Sequence, residues 1–268
     1  MKIIEYNCEG KMNDAALNED AIIVSNDCIA VIDGATSCKA IDGKPGGLLA
    51  RYILEKRLLS GIDNKLDGFN NILKLNSSLF KAQMHDQHRF SDPSKRLMAS
   101  VLIYSVEHKQ IWSYGDCRFL VNGTLHYYNK QIDAMNALLR SFVNQAQLCS
   151  GASIFDLLNH DLGAEAIRPF IDLQPIFANR SSYFGYPILD GGNLIKEFFE
   201  CVQVASGDEV VFSTDGYPIL CPTLAESESE LKRILYEDPL CITNTRSVKG
   251  CYPGMNSFDD RTYCRFIV

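Results

Sequence analysis

Four short acidic motifs are spread over nearly the whole chain: Asn18-Glu19-Asp20, Asp33-Gly34, Asp215-Gly216 and Asp259-Asp260. Carboxylates do chemistry when they converge, because like charges held together repel unless hard cations lie between them. Oxygen-only ligation suits Mg²⁺ or Mn²⁺, whereas zinc recruits His and Cys. Asp33 follows the apolar, β-branched run Cys28-Ile29-Ala30-Val31-Ile32, and Glu209-Val210-Val211-Phe212 leads to Asp215. Each of these two carboxylates should sit at the end of a buried strand, where its charge must be neutralised. The ordinary explanation of any single Asp-Gly is a turn, since Gly accepts positive φ and Asp bonds its own backbone. Asp42-Gly43, Asp67-Gly68 and Asp190-Gly191 show how common the dipeptide is in this chain. Taken together, the four acidic motifs read as one metal site.

A fifth element joins them. Gly115-Asp116-Cys117-Arg118 lies between Ile111-Trp112-Ser113-Tyr114 and Phe119-Leu120-Val121, with a turn at Asn122-Gly123. In this order the five motifs resemble the metal-dependent protein phosphatases, the PPM or type 2C serine/threonine family, from about residue 6 to the C-terminus. The resemblance implies an α+β fold, a four-layer α-β-β-α sandwich of two antiparallel sheets flanked by helices. It implies that Asp33 bridges two Mn²⁺ or Mg²⁺ ions and that the Gly34 carbonyl ligates one of them. Asp215 and Asp259 would complete the first ion, while Glu19 and Asp20 would face the second directly or through water. The catalytic role would fall to Asp33, Asp215 and Asp259. Asp133 would join a third, weaker ion, but an Asp opening the helical stretch Ala134 to Val143 reads equally well as an N-cap. Asp116 is expected to do structural work in its hairpin. The implied chemistry is attack on phosphorus by a metal-bridging water, with no protein nucleophile.

Departures from the family pattern fall on the substrate side. Where many members carry a phosphate-binding arginine, this chain has Asp14-Ala15-Ala16-Leu17. Lys11, Lys39 or Arg51 are the candidates to replace its charge, although a lysine does not reproduce bidentate recognition. The continuation Asp33-Gly34-Ala35-Thr36-Ser37 lacks the family's His, and Met98-Ala99-Ser100 stands where Gly-Ser/Thr-Thr is usual. The metal site looks intact while the substrate site looks remodelled.

Competing chemistries find little support. The ten cysteines are dispersed with no Cys-x-x-Cys, and several lie in apolar runs, where free thiols behave as small hydrophobes. No Gly-x-Ser-x-Gly occurs. His85 and His88 share a helical spacing but have no further ligand nearby, and His108, His126 and His160 have no partner visible in sequence. A net charge of −7 argues against general nucleic-acid binding. The polar start Met1-Lys2-Ile3-Ile4-Glu5 reads as no signal peptide, and no run approaches the ~20 apolar residues of a membrane span. A cytoplasmic, reducing location and a monomer, without nucleic-acid or membrane partners, are therefore expected.

These carboxylates need elements to position them. Strands are expected near 2–7, 20–25, 28–33, 99–106, 110–115, 117–122, 124–128, 208–214 and 261–267, many joined by short turns as in a meander. Helical spacing runs over Gly47 to Leu59 and Asp67 to Gln87, and the sequence places a further helix over Leu194 to Val202 and the close of one at Asp156 to Asn159. Ala225 to Glu230 reads as a solvated helix start. At 268 residues the chain is one domain with a substantial core. A flap segment at about 129–192, with Ser182-Tyr183-Phe184-Gly185-Tyr186-Pro187 at its tip, is expected over the site, a plain surface connection being the alternative.

The resulting functional expectation is hydrolysis of phosphoserine or phosphothreonine in a phosphorylated protein substrate with Mn²⁺ or Mg²⁺. A catalytically silent phosphatase-like module that binds or regulates partners is the alternative from another class. Hydrolysis of a small phosphoester is the third.

Overall fold

A computed structural model describes residues 1–12, 14–35, 43–86 and 90–268. Among these residues ten strands form two five-stranded antiparallel sheets. The first sheet runs β1 (Lys2–Glu9), β10 (Arg261–Ile267), β9 (Glu209–Ser213), β6 (Arg118–Val121), β7 (Thr124–Tyr127). The second runs β2 (Asp20–Val24), β3 (Cys28–Gly34), β4 (Ala99–Ser105), β5 (Gln110–Tyr114), β8 (Glu200–Gln203). Short turns join β2 to β3, β4 to β5 and β6 to β7, so local pairing builds most of each sheet.

Side-chain alternation assigns each strand face to a layer. Ile29, Val31, Leu102, Tyr104 and Ile111 of the second sheet pack against Phe119, Val210, Phe212, Cys264 and Phe266 of the first. The intervening residues Ala30, Ile32, Val101, Ile103 and Trp112 face outward, onto α1 (Gly46–Leu59) and α2 (Gly68–Gln83) through Leu54, Leu58, Ile72, Leu75 and Leu79. On the opposite side, Leu120, Val211 and Tyr263 meet Leu231 and Ile234 of a C-terminal helix, Leu224–Glu237. The order of layers is thus α-β-β-α, as the family resemblance implies. Central strands such as β3 and β4 are covered on both faces, which is why they read as unbroken apolar runs.

Three further helices, α3 (Gln131–Cys149), α4 (Ile154–Asn159) and α5 (Leu162–Leu173), lie between β7 and β8; the C-terminal helix is α6. All nine expected strands are present, and α6 opens with a Thr223/Glu226 capping box. Leu194 to Val202 is a correction: only Lys196–Phe198 makes a helical turn, of 3₁₀ type, and Glu200–Gln203 is β8, which pairs along the edge of β5 with Cys201 opposite Trp112. Helix α2 stops at Gln83 rather than Gln87, which itself lies outside the described residues. Among the described residues every cysteine is a free thiol, and no helix is long and apolar enough to cross a membrane.

Candidate metal centre

The apolar faces that seal the two sheets together turn polar at one end. Along β3 the inward series Ile29, Val31 continues to Asp33, and along β4 the series Tyr104, Leu102 continues to Ser100. Asp20 is the register partner of Asp33, which is in turn the register partner of Ser100. From the other sheet, Phe266 and Cys264 lead to Thr262, and β9 runs out into Thr214 and Asp215. The Thr214 and Thr262 hydroxyls both donate to Asp20 Oδ2, at 2.7 and 3.1 Å, and so tie the sheets together at the site.

Glycines let the backbones close up there. A Cβ on Gly34 would collide with the carbonyl oxygens of Gly47 and Glu19, and one on Gly216 with that of Asp260. Neither Gly34 nor Gly216 has positive φ, whereas Gly43 (φ 76°) and Gly191 (φ 81°) do. Positive φ, the usual reason for glycine in a turn, thus explains Gly43 and Gly191, Asp42 itself lying outside the described residues, and does not explain the two glycines that follow strands, where glycine is required by close approach. In the remaining dipeptide, Asp67 caps α2 by accepting from the Asn70 N–H.

Asp20, Asp33, Gly34, Asp133, Asp215 and Asp259 line one cavity of about 180 Å³. Of the residues assigned to the metals by resemblance, Glu19 is the one whose side chain lies outside that lining. It is buried toward Gly47, and its backbone carbonyl accepts from the Gly34 N–H at 3.1 Å. Asp133 is not an N-cap: α3 begins two residues earlier with Lys130 at the cap, and Asp133 sits in the first turn. There it accepts from Gln174 Nε2 at 2.9 Å and pairs with Lys130 at 3.0 Å.

Asp116, read from sequence as structural, also lines the cavity, as do Asp260, Lys130 and Lys249. Ser100 Oγ donates to Asp116 at 2.6 Å and Lys130 Nζ at 3.2 Å. Asp260 accepts the backbone N–H groups of Lys11 and Glu19 at 2.8 and 3.0 Å, a positioning role. The Gly-Asp-Cys-Arg element carried a signal for Asp116. None existed for Lys130 or Lys249, since lysines on loops are unremarkable in a sequence. Of the proposed stand-ins for the arginine, Lys11 reaches Asp259 at 2.9 Å, Arg51 pairs with Glu55 on α1 at 3.3 Å, and Lys39 lies outside the described residues, as do His88, Thr36 and Ser37.

Electrostatics divide the cavity. Burial, reinforced by the charges of Asp215 and Asp20, holds Asp33 well above the usual carboxylate range. Burial likewise raises Asp20 well above it, against the Thr214 hydrogen bond and with the charges of Asp260 and Asp259 adding to the shift. Burial and then the Asp259 and Asp116 charges push Asp215 up to about 6. Asp259 goes the other way: burial opposes it, but the ammoniums of Lys249 and Lys11 hold it below the ordinary value. Burial opposes Asp116 too, and the Lys130 charge with the Ser100 hydrogen bond outweighs it.

Solved structures share the fold over the whole chain. The Mycobacterium tuberculosis serine/threonine phosphatase PstP/Ppp superposes over 99% of this chain and 98% of its own, with TM-score 0.52 and 13% identity. The fold is that of the metal-dependent protein phosphatases. PstP in complex with two manganese ions matches over 100% of both chains, with TM-score 0.52 and 13% identity. Staphylococcus aureus Stp1 matches over 98% of this chain and 94% of its own, with TM-score 0.51 and 14% identity. No protein-family model matches the sequence, and no curated protein does.

The residues present suit a hard divalent cation. The acidic lining offers oxygen donors, with no His or Cys among the residues that form it. Among the described residues no three such side chains already close on one point. Mg²⁺-type binding through one or two carboxylates plus waters does not require three.

Proposed function

We propose that this protein is a divalent-cation-dependent phosphatase acting on phosphoserine or phosphothreonine in proteins. The observation that carries the reading is that Asp20, Asp33 and Asp215 line one cavity at the polar end of the inter-sheet core, in a phosphatase fold. Asp33, Asp215 and the Gly34 carbonyl would hold the cation, with Asp20 beside them; Asp259 and Asp133 are already engaged by lysines. A bound Mn²⁺ or Mg²⁺ would supply an acidified water and neutralise charge on the phosphoryl oxygens.

The chain's own residues account for the rest of the site. Lys130 and Lys249 temper an acidic cavity that would otherwise repel a phosphate dianion. Beside the cavity, and sharing Asp116, Lys130 and Asp215 with it, runs a groove of about 560 Å³. Its outer part is lined by Arg118, Arg246, Tyr127 and Tyr128. Arg118 is held in place by donating to the carbonyls of Tyr217 and Pro218 at 3.2 and 2.5 Å, and Arg246 is exposed. Two guanidinium groups and two phenol rings beside the cavity suit a phosphate carried on a peptide better than a small phosphoester, which the cavity alone would hold. The Ile171, Gln174 and Ile188 side chains wall the cavity on the side of the expected flap, while Tyr186 is buried against Ile132 and Met98.

The test is hydrolysis of a phosphothreonine peptide and of para-nitrophenyl phosphate, with and without Mn²⁺, beside Asp33→Asn. Turnover that needs Mn²⁺ and is lost in the variant is expected. Turnover unaltered by Asp33→Asn would sink the site. The engagement of Asp259 by two ammoniums favours one second reading, a binding module: it predicts capture of the phosphopeptide with no turnover at any Mn²⁺ concentration.

A further inference from the structure

The cavity's carboxylates differ in what already satisfies them. Asp259 is fully committed: Oδ1 accepts from Lys11 Nζ at 2.9 Å and from the Asp260 N–H at 3.0 Å, and Oδ2 accepts from Lys249 Nζ. Asp33 and Asp215 accept no hydrogen bond and make no ion pair with the described residues, and both open into the cavity. Their two negative charges equal the charge of one divalent cation. Asp20 has its Oδ2 occupied by two threonine hydroxyls.

Lys249 is built into its place. Arg140 is wholly buried in α3, and its Nη1 donates to the carbonyls of Leu240, Ser247 and Lys249 at 2.7, 2.9 and 3.3 Å. Its Nε donates to Asp161 at 3.0 Å, so the guanidinium charge is paired while it gathers the loop. The Lys249 N–H donates to Ser247 Oγ at 3.1 Å, and the Cys251 N–H donates to the Pro239 carbonyl at 2.8 Å. A lysine whose backbone is pinned at several points loses less freedom in reaching a fixed carboxylate than one on a loose loop.

We propose that the Lys249 ammonium stands where a second cation would otherwise engage Asp259, so that this cavity takes one divalent ion, on Asp33 and Asp215. The inference rests on the cation-dependent reading given above. A divalent ion arriving at Asp259 would have to displace Lys249 and overcome repulsion from both it and Lys11, whereas at Asp33 and Asp215 it meets two carboxylates with no competing cation in contact among the described residues. The chain thereby carries one of its counter-charges covalently.

Counting ions tests this without reference to turnover. The full chain is titrated with Mn²⁺ by calorimetry, with free Mn²⁺ followed in parallel by electron paramagnetic resonance. One ion per chain is expected for the native sequence and two for Lys249→Gln. The double variant Asp259→Asn/Lys249→Gln removes the pair without changing net charge. It should keep one ion with affinity within about threefold, short of the roughly tenfold loss expected of a residue in the ligand shell. Two ions on the native chain, or one on Lys249→Gln, overturns the inference and leaves the cation-dependent reading standing. No Mn²⁺ bound to the native chain defeats both.

Discussion

Two sets of carboxylates line the cavity: Asp33 and Asp215, the bare wall, take no hydrogen bond or ion pair from the described residues, whereas Asp116, Asp133 and Asp259, the lysine wall, each pair with a lysine ammonium. The residue type is the same and burial opposes ionisation on both walls, yet the carboxyls of the bare wall are raised and those of Asp116 and Asp259 are lowered. Burial alone does not decide how an acidic residue behaves; the presence of a positioned cation does. A wall that lacks such a cation is stable only when an external one is supplied or a proton is taken up. The lysine wall needs neither, which is why the proposed cation is assigned to the bare wall.

The largest expected effect comes from breaking the bare wall. Asp33→Asn should lower Mn²⁺-dependent phosphopeptide turnover by about 10³-fold or more, on the scale of losing a group that acts in the transition state. Its circular dichroism spectrum should remain that of the native chain, and a variant that keeps most of its activity contradicts the comparison. The lysine wall breaks through its support. Arg140→Ala removes the counter-charge of Asp161, whose side chain is largely covered, and frees the loop that carries Lys249. We expect a loss of roughly 3–5 kcal/mol in urea unfolding.

The comparison sharpens with pH. Asp215 binds its proton more tightly folded than unfolded, so the folded state holds more protons between about pH 4 and its value of about 6. Its contribution to stability is therefore greatest at low pH and is lost as pH rises through that window. Asp215→Asn should make the metal-free protein more stable by roughly 2 kcal/mol at pH 7 and change little at pH 4, the figure being discounted for partial exposure. Saturating Mn²⁺ should erase the gain. Chemical denaturation at the two pH values decides it, and equal effects at both remove the claim that this wall carries uncompensated charge. The smallest effect lies outside both walls: Arg246→Ala should raise KM for an acidic phosphopeptide by about threefold, an exposed charge contact being worth under about 1 kcal/mol. Turnover of para-nitrophenyl phosphate should stay as it was.

Legibility followed the reach of each interaction. Strands β3 and β4 announced themselves because both faces are buried, and the hairpins around them because their turns are local. Strand β8 did not. Its four residues follow Lys196-Glu197-Phe198-Phe199, which has helical spacing, and it is a strand because the edge of β5 is there to pair with it. Helix α5 was hidden by Pro169 in its interior and by Gly163, which packs against Arg140 and Asn144 of α3. At the site, Asp33 and Asp215 were readable because each follows an apolar strand. The place of Asp116 on the cavity lining was not readable, since its partners Ser100 and Lys130 lie 16 and 14 residues away.

The sequence by itself determined which strands are buried, where they end, and that their ends carry carboxylates, because alternation and strand length are properties of contiguous residues. Tertiary structure alone decided which of those carboxylates are neutralised. Lys249 and Asp259 are ten residues apart, Lys11 and Asp259 are 248 apart, and Asp20 meets Thr214 across 194. Electrostatic compensation depends on distance in space, and no local pattern of residues records it.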